Sequence, residues 1–187
     1  MAPGDDVVVL PSGMATRIKS IETFDGSKDL ANVGESVVLT TTDELDISRG
    51  DMIVRPKNLP VVSRRLDAYL CWMDAADLVV GRSYLLAHTT RRVQAVVKGV
   101  NYRVNVDTLH RDPAPTLVMN EIGRVQIDTA DPVFFDSYRL NSATGSFVLI
   151  DLQTNATVAA GMIRGEPRDV ATGPNPVAAA PTTVSAG

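Results

Sequence analysis

A chain of 187 residues that is 44% hydrophobic and 21% charged, with a formal net charge of −4 at pH 7, has the length and composition of a globular protein able to build a sizeable core. That balance excludes disorder of the whole chain and a strongly basic nucleic-acid-binding surface. A single cysteine and the lack of about 18 consecutive apolar residues exclude an internal disulfide framework and a membrane-spanning helix, and they predict a cytoplasmic, reducing setting.

The opening "MAPGDDVVVL" has no basic segment followed by a long apolar one, so no signal peptide is predicted, and "DDVVVL" reads as a strand ending at Pro11-Ser12-Gly13. In "ATRIKSIETF" the apolar residues Ile18, Ile21 and Phe24 fall three apart, a spacing that fits a helix as well as a strand. The flanking turn signals, with Thr16 and Thr23 among the branched residues, favour a twisted hairpin strand carrying a bulge that corrects the phase. "ESVVLTT" and "DMIVRP" follow as strands, separated by Arg49-Gly50-Asp51. That tripeptide serves as a receptor ligand in some secreted proteins. Without a secretion signal it is read as a turn, and Asn155-Ala156-Thr157, a formal glycosylation acceptor, is read as structural too.

About four strands precede Pro56, whereas a closed barrel needs about five or more, so the first unit is expected to be open on one side or to lack its first strands. The prolines of "RPKNLPVV" cannot continue a central ladder and predict a boundary between Pro56 and Pro60. Beyond it come "LDAYLCWM", "YLLAHTT", "RRVQAVVKGVNYRVNV", "NEIGRVQID", "GSFVLIDL" and "TVAAGMI", all short and rich in branched residues, with turns at Ala143-Thr144-Gly145 and Thr154-Asn155. Phe147, Val148, Ile150, Val158 and Met162 are core candidates, and Cys71 reads as a small buried hydrophobe rather than a catalytic thiol. From Glu166 the chain turns rich in Pro, Ala, Gly, Thr and Ser and poor in large apolar groups, which predicts a flexible tail. The prediction is all-β, with units at 1–56 and 60–165 and a tail at 166–187.

Chemistry-bearing motifs are sparse. There is no GxxxxGK[ST] phosphate loop, no CxxC and no HExxH. His88 and His110 read as surface or half-buried strand residues. The acid pairs Asp5-Asp6, Glu44 with Asp46, and Asp128 with Asp131 fall in predicted turns, where aspartates cap the backbone. Arg64, Arg65, Arg91, Arg92, Lys98 and Arg103, with Tyr102 interleaved, offer either a phosphate-tracking face or a solvated strand face; the net acidity favours the second.

Four stretches taken in order, "VVVLPSGMATRIKSIETFDG", "DELDISRGDMIVRPKNLP", "LVMNEIGRVQID" and "TGSFVLIDLQTNATVAAGMI", resemble the two β-barrel domains that follow the GTPase domain in the large subunit of bacterial sulfate adenylyltransferase, itself similar to elongation factor Tu. The resemblance covers about residues 4 to 165. It implies two consecutive translation-factor-type Greek-key barrels, the first incomplete at its N-terminus, with Arg49-Gly50-Asp51 as the turn entering the last strand of the middle barrel and Gln153-Thr154-Asn155 as a hairpin turn.

In that family the complex makes adenosine 5'-phosphosulfate and pyrophosphate from ATP and sulfate, driven by GTP hydrolysis, with adenylyl transfer on a partner catalytic subunit. GTP and magnesium belong to an upstream domain not found in this sequence, so no catalytic, cofactor-binding or metal-ligating residue is assigned. The implied role is docking the GTPase domain and the catalytic subunit, with an adenylylsulfate kinase as a further partner and neither membrane nor nucleic acid. Arg49, Asp51, Asn120, Glu121, Arg139 and Asp151 are the candidate contact residues, with turn capping as the alternative for each. Two other readings stay open: a tRNA-binding module working through Arg64, Arg65, Arg91, Arg92 and Arg103, and an inactive remnant with exposed apolar edges.

Overall fold

The computed structural model describes residues 1–167, so residues 168–187 of the expected tail lie outside the described residues. The first sheet contains β1 (Asp6–Leu10), β2 (Met14–Thr23), β3 (Gly26–Ser27), β4 (Val38–Thr41) and β5 (Met52–Val54). Its order is β3-β2-β1-β5, with β4 also paired to β2, and it curls into a half-barrel. This is one strand more than the sequence suggests, because Gly26–Ser27 is too short to leave a hydrophobic pattern. Val7, Ile18 and Ile21 form its core, flanked by Met1, Ala31, Val37, Leu39 and Ile53.

The bulge expected in β2 is present. Ile18 pairs with Thr41, but the next partner, Thr40, pairs with Ser20, so Lys19 is the extra residue. One inserted residue returns Ile21 to the inner face despite its spacing of three from Ile18, and both are buried. Phe24 does not share that face. It stands just past the last paired residue, Thr23, and is fully exposed.

The second sheet comprises β6 (Val61–Trp72), β7 (Ser83–His88), β8 (Arg91–Val104), β9 (Arg111–Asp112), β10 (Ile122–Phe135), β11 (Ser146–Asp151) and β12 (Thr157–Gly165). Six of these run β6-β12-β11-β7-β8-β10, and β10 pairs β6 again, which closes a barrel; β9 pairs β8 outside the ring. All pairings are antiparallel. Closure leaves the ring without a free edge. Its interior holds Trp72, Tyr84, Leu66, Leu70, Leu86, Leu149, Ile127 and Phe147 among others, with Trp72 meeting Tyr84 edge-on at 5.9 Å and its indole NH donating to the Ala76 carbonyl at 2.7 Å.

Strict alternation in the barrel corrects several core assignments. Along β11 the inward positions are Phe147, Leu149 and Asp151, which leaves Val148 and Ile150 half-buried on the outer face; Met162 is outward on β12. Both faces of this hairpin are apolar, so composition alone does not set its phase. Cys71 is likewise half-buried rather than buried, because Leu70 and Trp72 take the interior positions on either side of it. The Ala143-Thr144-Gly145 turn is a single helical turn, α1 (Ser142–Gly145), with the Asn141 side chain accepting from the Ala143 amide at 3.1 Å. His88 is not at the surface. It is buried at the end of β7, with Nε2 2.8 Å from the Thr144 carbonyl oxygen, and burial lowers its pKa against a smaller opposing effect of that hydrogen bond.

Candidate docking surface

Three consecutive buried residues at the end of β10 mark where the two sheets meet. Val133 and Phe135 point into the barrel core, whereas Phe134 points outward and is still only 2% exposed, because Leu10 and Val54 of the half-barrel cover it, with Val8 and Met52 alongside. An outward aromatic in a barrel strand becomes buried only when a second layer lies on it.

The Arg49-Gly50-Asp51 turn lies at this junction. Asp51 closes the turn by accepting from the Ser48 amide at 2.9 Å while its own amide donates to the Ser48 carbonyl at 3.0 Å. Gly50 is buried with φ 102°, a conformation that favours glycine, and its carbonyl accepts from Arg91 Nη1 at 3.3 Å. The Arg91 guanidinium lies 4.9 Å from the centre of the Phe134 ring, so one arginine joins the turn of the first sheet to the aromatic of the second. Arg49, Asp51, Thr90, Arg91, Arg92 and Asp131 line a cleft of ≈ 530 Å³ along the seam.

The other candidate residues sit on separate elements. Asn120 and Glu121 share a turn before β10, where Asn120 adopts φ 67° and its amide donates to the Trp72 carbonyl at 2.8 Å. Glu121 accepts from the Val118 amide at 3.0 Å and from Arg103 Nη1 at 2.6 Å, and this pairing raises the Arg103 pKa. Asn120 is the exposed member of that pair. Asp151 is only 4% exposed: it accepts from the Gln153 and Thr154 amides at 2.8 and 3.0 Å and from Arg82 Nη2 at 2.5 Å. The two amides, Thr154 first, hold its carboxyl below the usual aspartate value, so it anchors the β11–β12 hairpin from inside. Arg139 is exposed between β10 and α1.

Of the arginines weighed for tRNA, Arg91 is turned into the seam and Arg103 is engaged by Glu121 and by Asp112 at 3.6 Å, so these two do not offer free guanidinium groups to a tRNA backbone. Sequence reasoning missed the Asp67–Arg124 pair. Asp67 lies on the outer face of β6 but is only 5% exposed beneath Arg124 of β10, which donates to it at 2.8 and 2.5 Å. Period-two alternation places Asp67 and Tyr69 on one face; the register that brings Arg124 opposite Tyr69 is a tertiary fact.

Among the described residues no group of three or more His, Cys, Asp and Glu side chains is arranged to hold a metal ion. With no phosphate loop in the sequence either, the residues present do not fit GTP and magnesium, and no chemical step is assigned to them. Among the described residues no helix is long and apolar enough to cross a membrane.

A half-barrel packed by Phe134 and Arg91 onto a closed six-stranded antiparallel barrel defines a tandem-barrel protein of the translation-factor type. The structure superposes on crystal structures of Sup35 complexed with GDP (TM-score 0.78, 17% identity) and with GMPPNP (TM-score 0.79, 17% identity), each covering 90% of this chain and 42% of that one. The chain belongs to the GTP-eEF1A C-terminal domain-like family, whose model matches residues 65–164. Among curated proteins it is 48% identical over 160 residues to the bifunctional enzyme CysN/CysC of Rhodopirellula baltica, covering 86% of this chain and 25% of that protein. It is 46% identical over 169 residues to sulfate adenylyltransferase subunit 1 of Bacteroides fragilis, covering 89% and 36%. It is 49% identical over 165 residues to the bifunctional enzyme CysN/CysC of Mycobacterium tuberculosis, covering 87% and 27%. The chain thus spans a quarter to about a third of the length of these relatives.

Proposed function

We propose that this chain supplies the paired barrels of a cytoplasmic sulfate adenylyltransferase subunit 1 and acts by docking. It holds a GTPase domain against the catalytic subunit in the assembly that forms adenosine 5'-phosphosulfate from ATP and sulfate. The observation that carries this reading is the 46–49% identity to relatives bearing that name or the CysN/CysC name, spread over 86–89% of the chain. In this reading GTP hydrolysis and adenylyl transfer belong to other parts of the assembly, and these barrels contribute geometry. Two units, 1–56 and 60–165, are joined by the connector and locked through Phe134 and Arg91, so that a shift imposed on one sheet is passed to the other. Arg49, Asp51, Asn120 and Arg139 are the displayed contact groups, whereas Glu121 and Asp151 act through the turns they hold. Because relatives include bifunctional CysN/CysC proteins, an adenylylsulfate kinase is a further partner.

Co-purification of the chain with the cognate catalytic subunit, with and without a separately expressed GTPase domain, tests the reading by size exclusion. A defined complex supports it. A folded chain that elutes alone under both conditions contradicts it and favours an inactive remnant.

A further inference from the structure

A row of arginines and tyrosines crosses the outer face of the closed barrel on five adjacent strands. From β9 to β12 it runs Arg111, Tyr102, Arg124, Tyr69 and Arg164, and Arg124 is the cross-strand partner of both tyrosines. The hydroxyls of Tyr69 and Tyr102 meet at 3.1 Å. The Arg111 guanidinium lies 5.0 Å from the Tyr102 ring centre, and that of Arg164 lies 5.4 Å from the Tyr69 ring centre while donating to its hydroxyl at 3.1 Å. Beside this row Tyr138, Met162 and Tyr69 line a cleft of ≈ 340 Å³ with Arg139 and Arg164 on it. Among the ion pairs of the described residues, Asp67 on Arg124 is the carboxylate that meets the row.

We propose that this face is a docking site for an acidic segment of a partner protein, with an apolar side chain of that segment seated in the Tyr69–Tyr138–Met162 cleft and its carboxylates paired with Arg139, Arg164 and Arg111. The tyrosine rings hold the guanidinium planes in place, so that less side-chain freedom is lost when a carboxylate takes the planar fork in two hydrogen bonds. The Tyr102 hydroxyl, with Arg164 adding to it, pulls the Tyr69 phenol below its ordinary pKa, which reflects the concentration of donors and positive charge on this face. On a chain of net charge −4 such a row is a local inversion of sign, which favours encounter with an acidic partner.

Single-stranded nucleic acid fits less well, because it needs open aromatic faces for base stacking and both rings here already carry an arginine. The surface involves neither the seam nor any nucleotide chemistry and shares Arg139 alone with the contacts proposed above. Binding of a free acidic peptide is read without the GTPase domain or the catalytic subunit, so its failure is distinguishable from failure of the sulfate-activation reading.

The test uses the full chain and a fluorescein-labelled peptide of alternating glutamate and glycine around one central phenylalanine, followed by anisotropy. Its glutamine analogue and a labelled oligothymidylate serve as comparison probes. The acidic peptide is expected to bind, to weaken with added salt, and to lose about tenfold or more in affinity on the double substitution R139E/R164E, while K57E in the connector leaves it unchanged. The double variant should in turn prefer a lysine version of the peptide, a gain that misfolding does not produce. No binding of the acidic peptide, equal binding of the glutamine analogue, tighter binding of the oligothymidylate, or an unchanged affinity in R139E/R164E would each overturn the proposal.

Discussion

Phe134 is the residue on which the two sheets meet, since its ring fills the space between Leu10 and Val54 and carries Arg91. Its truncation to alanine removes a buried aromatic and leaves Arg91 Nε, already buried without a hydrogen-bond partner among the described residues, without the ring beneath its guanidinium. F134A is expected to cost about 3 kcal/mol in denaturant unfolding, with the half-barrel losing structure before the barrel does. His88 gives a second test at this scale. Burial sets its folded pKa below the unfolded value of about 6.5, so the unfolded chain binds the extra proton first as pH falls. The stability it contributes is complete above that value and is lost on acidification through the window beneath it. H88Q keeps a donor for the Thr144 carbonyl but has nothing to titrate, so its melting temperature should vary less between pH 7 and pH 5 than that of the parent chain. The carboxylates with depressed values, Asp151 and Glu35, act at lower pH; Glu35 is drawn down to about 2 by the Asn32 amide first and then by Lys28.

At the scale of single elements, the strands were legible because runs of branched residues alternate with glycine, proline and asparagine turns, and even the β2 bulge followed from one conflict between spacing and flanking turns. The bulge makes an unusual prediction. Deleting Lys19 removes the extra residue and leaves Ile18 and Ile21 on one face, so the fold should survive with a modest change in melting temperature. Deleting Val8 from the regular strand β1 turns Val9 outward and should unfold the half-barrel. Circular dichroism melts of the two deletions, side by side, check the contrast; equal effects would contradict it. What the strands did not reveal was facing where both faces are apolar, as for Val148, Ile150 and Met162, or burial created by a distant element, as for Asp67 under Arg124. Pairing register decides both, and no local pattern encodes it.

For the whole molecule, the legible part was the all-β class and the succession of an open first sheet by a barrel, because strand-length spacing is a property of the chain itself. The seam was not legible. Arg49-Gly50-Asp51 and Arg91 are far apart in sequence and join only when the half-barrel lies on β10, so the sequence nominates Arg49 and Asp51 as contacts without revealing Arg91 or Phe134 as what the turn meets. Of the six residues nominated as contacts, Arg49, Asp51, Asn120 and Arg139 lie at the surface or on the seam cleft, whereas Glu121 and Asp151 are held within the turns they pair. The most direct test of the docking role is GTP-stimulated formation of adenosine 5'-phosphosulfate by the catalytic subunit and the GTPase domain, measured before and after adding this chain. The account predicts stimulation that appears only with the chain present and falls with F134A. Stimulation that is the same with and without it would contradict the account.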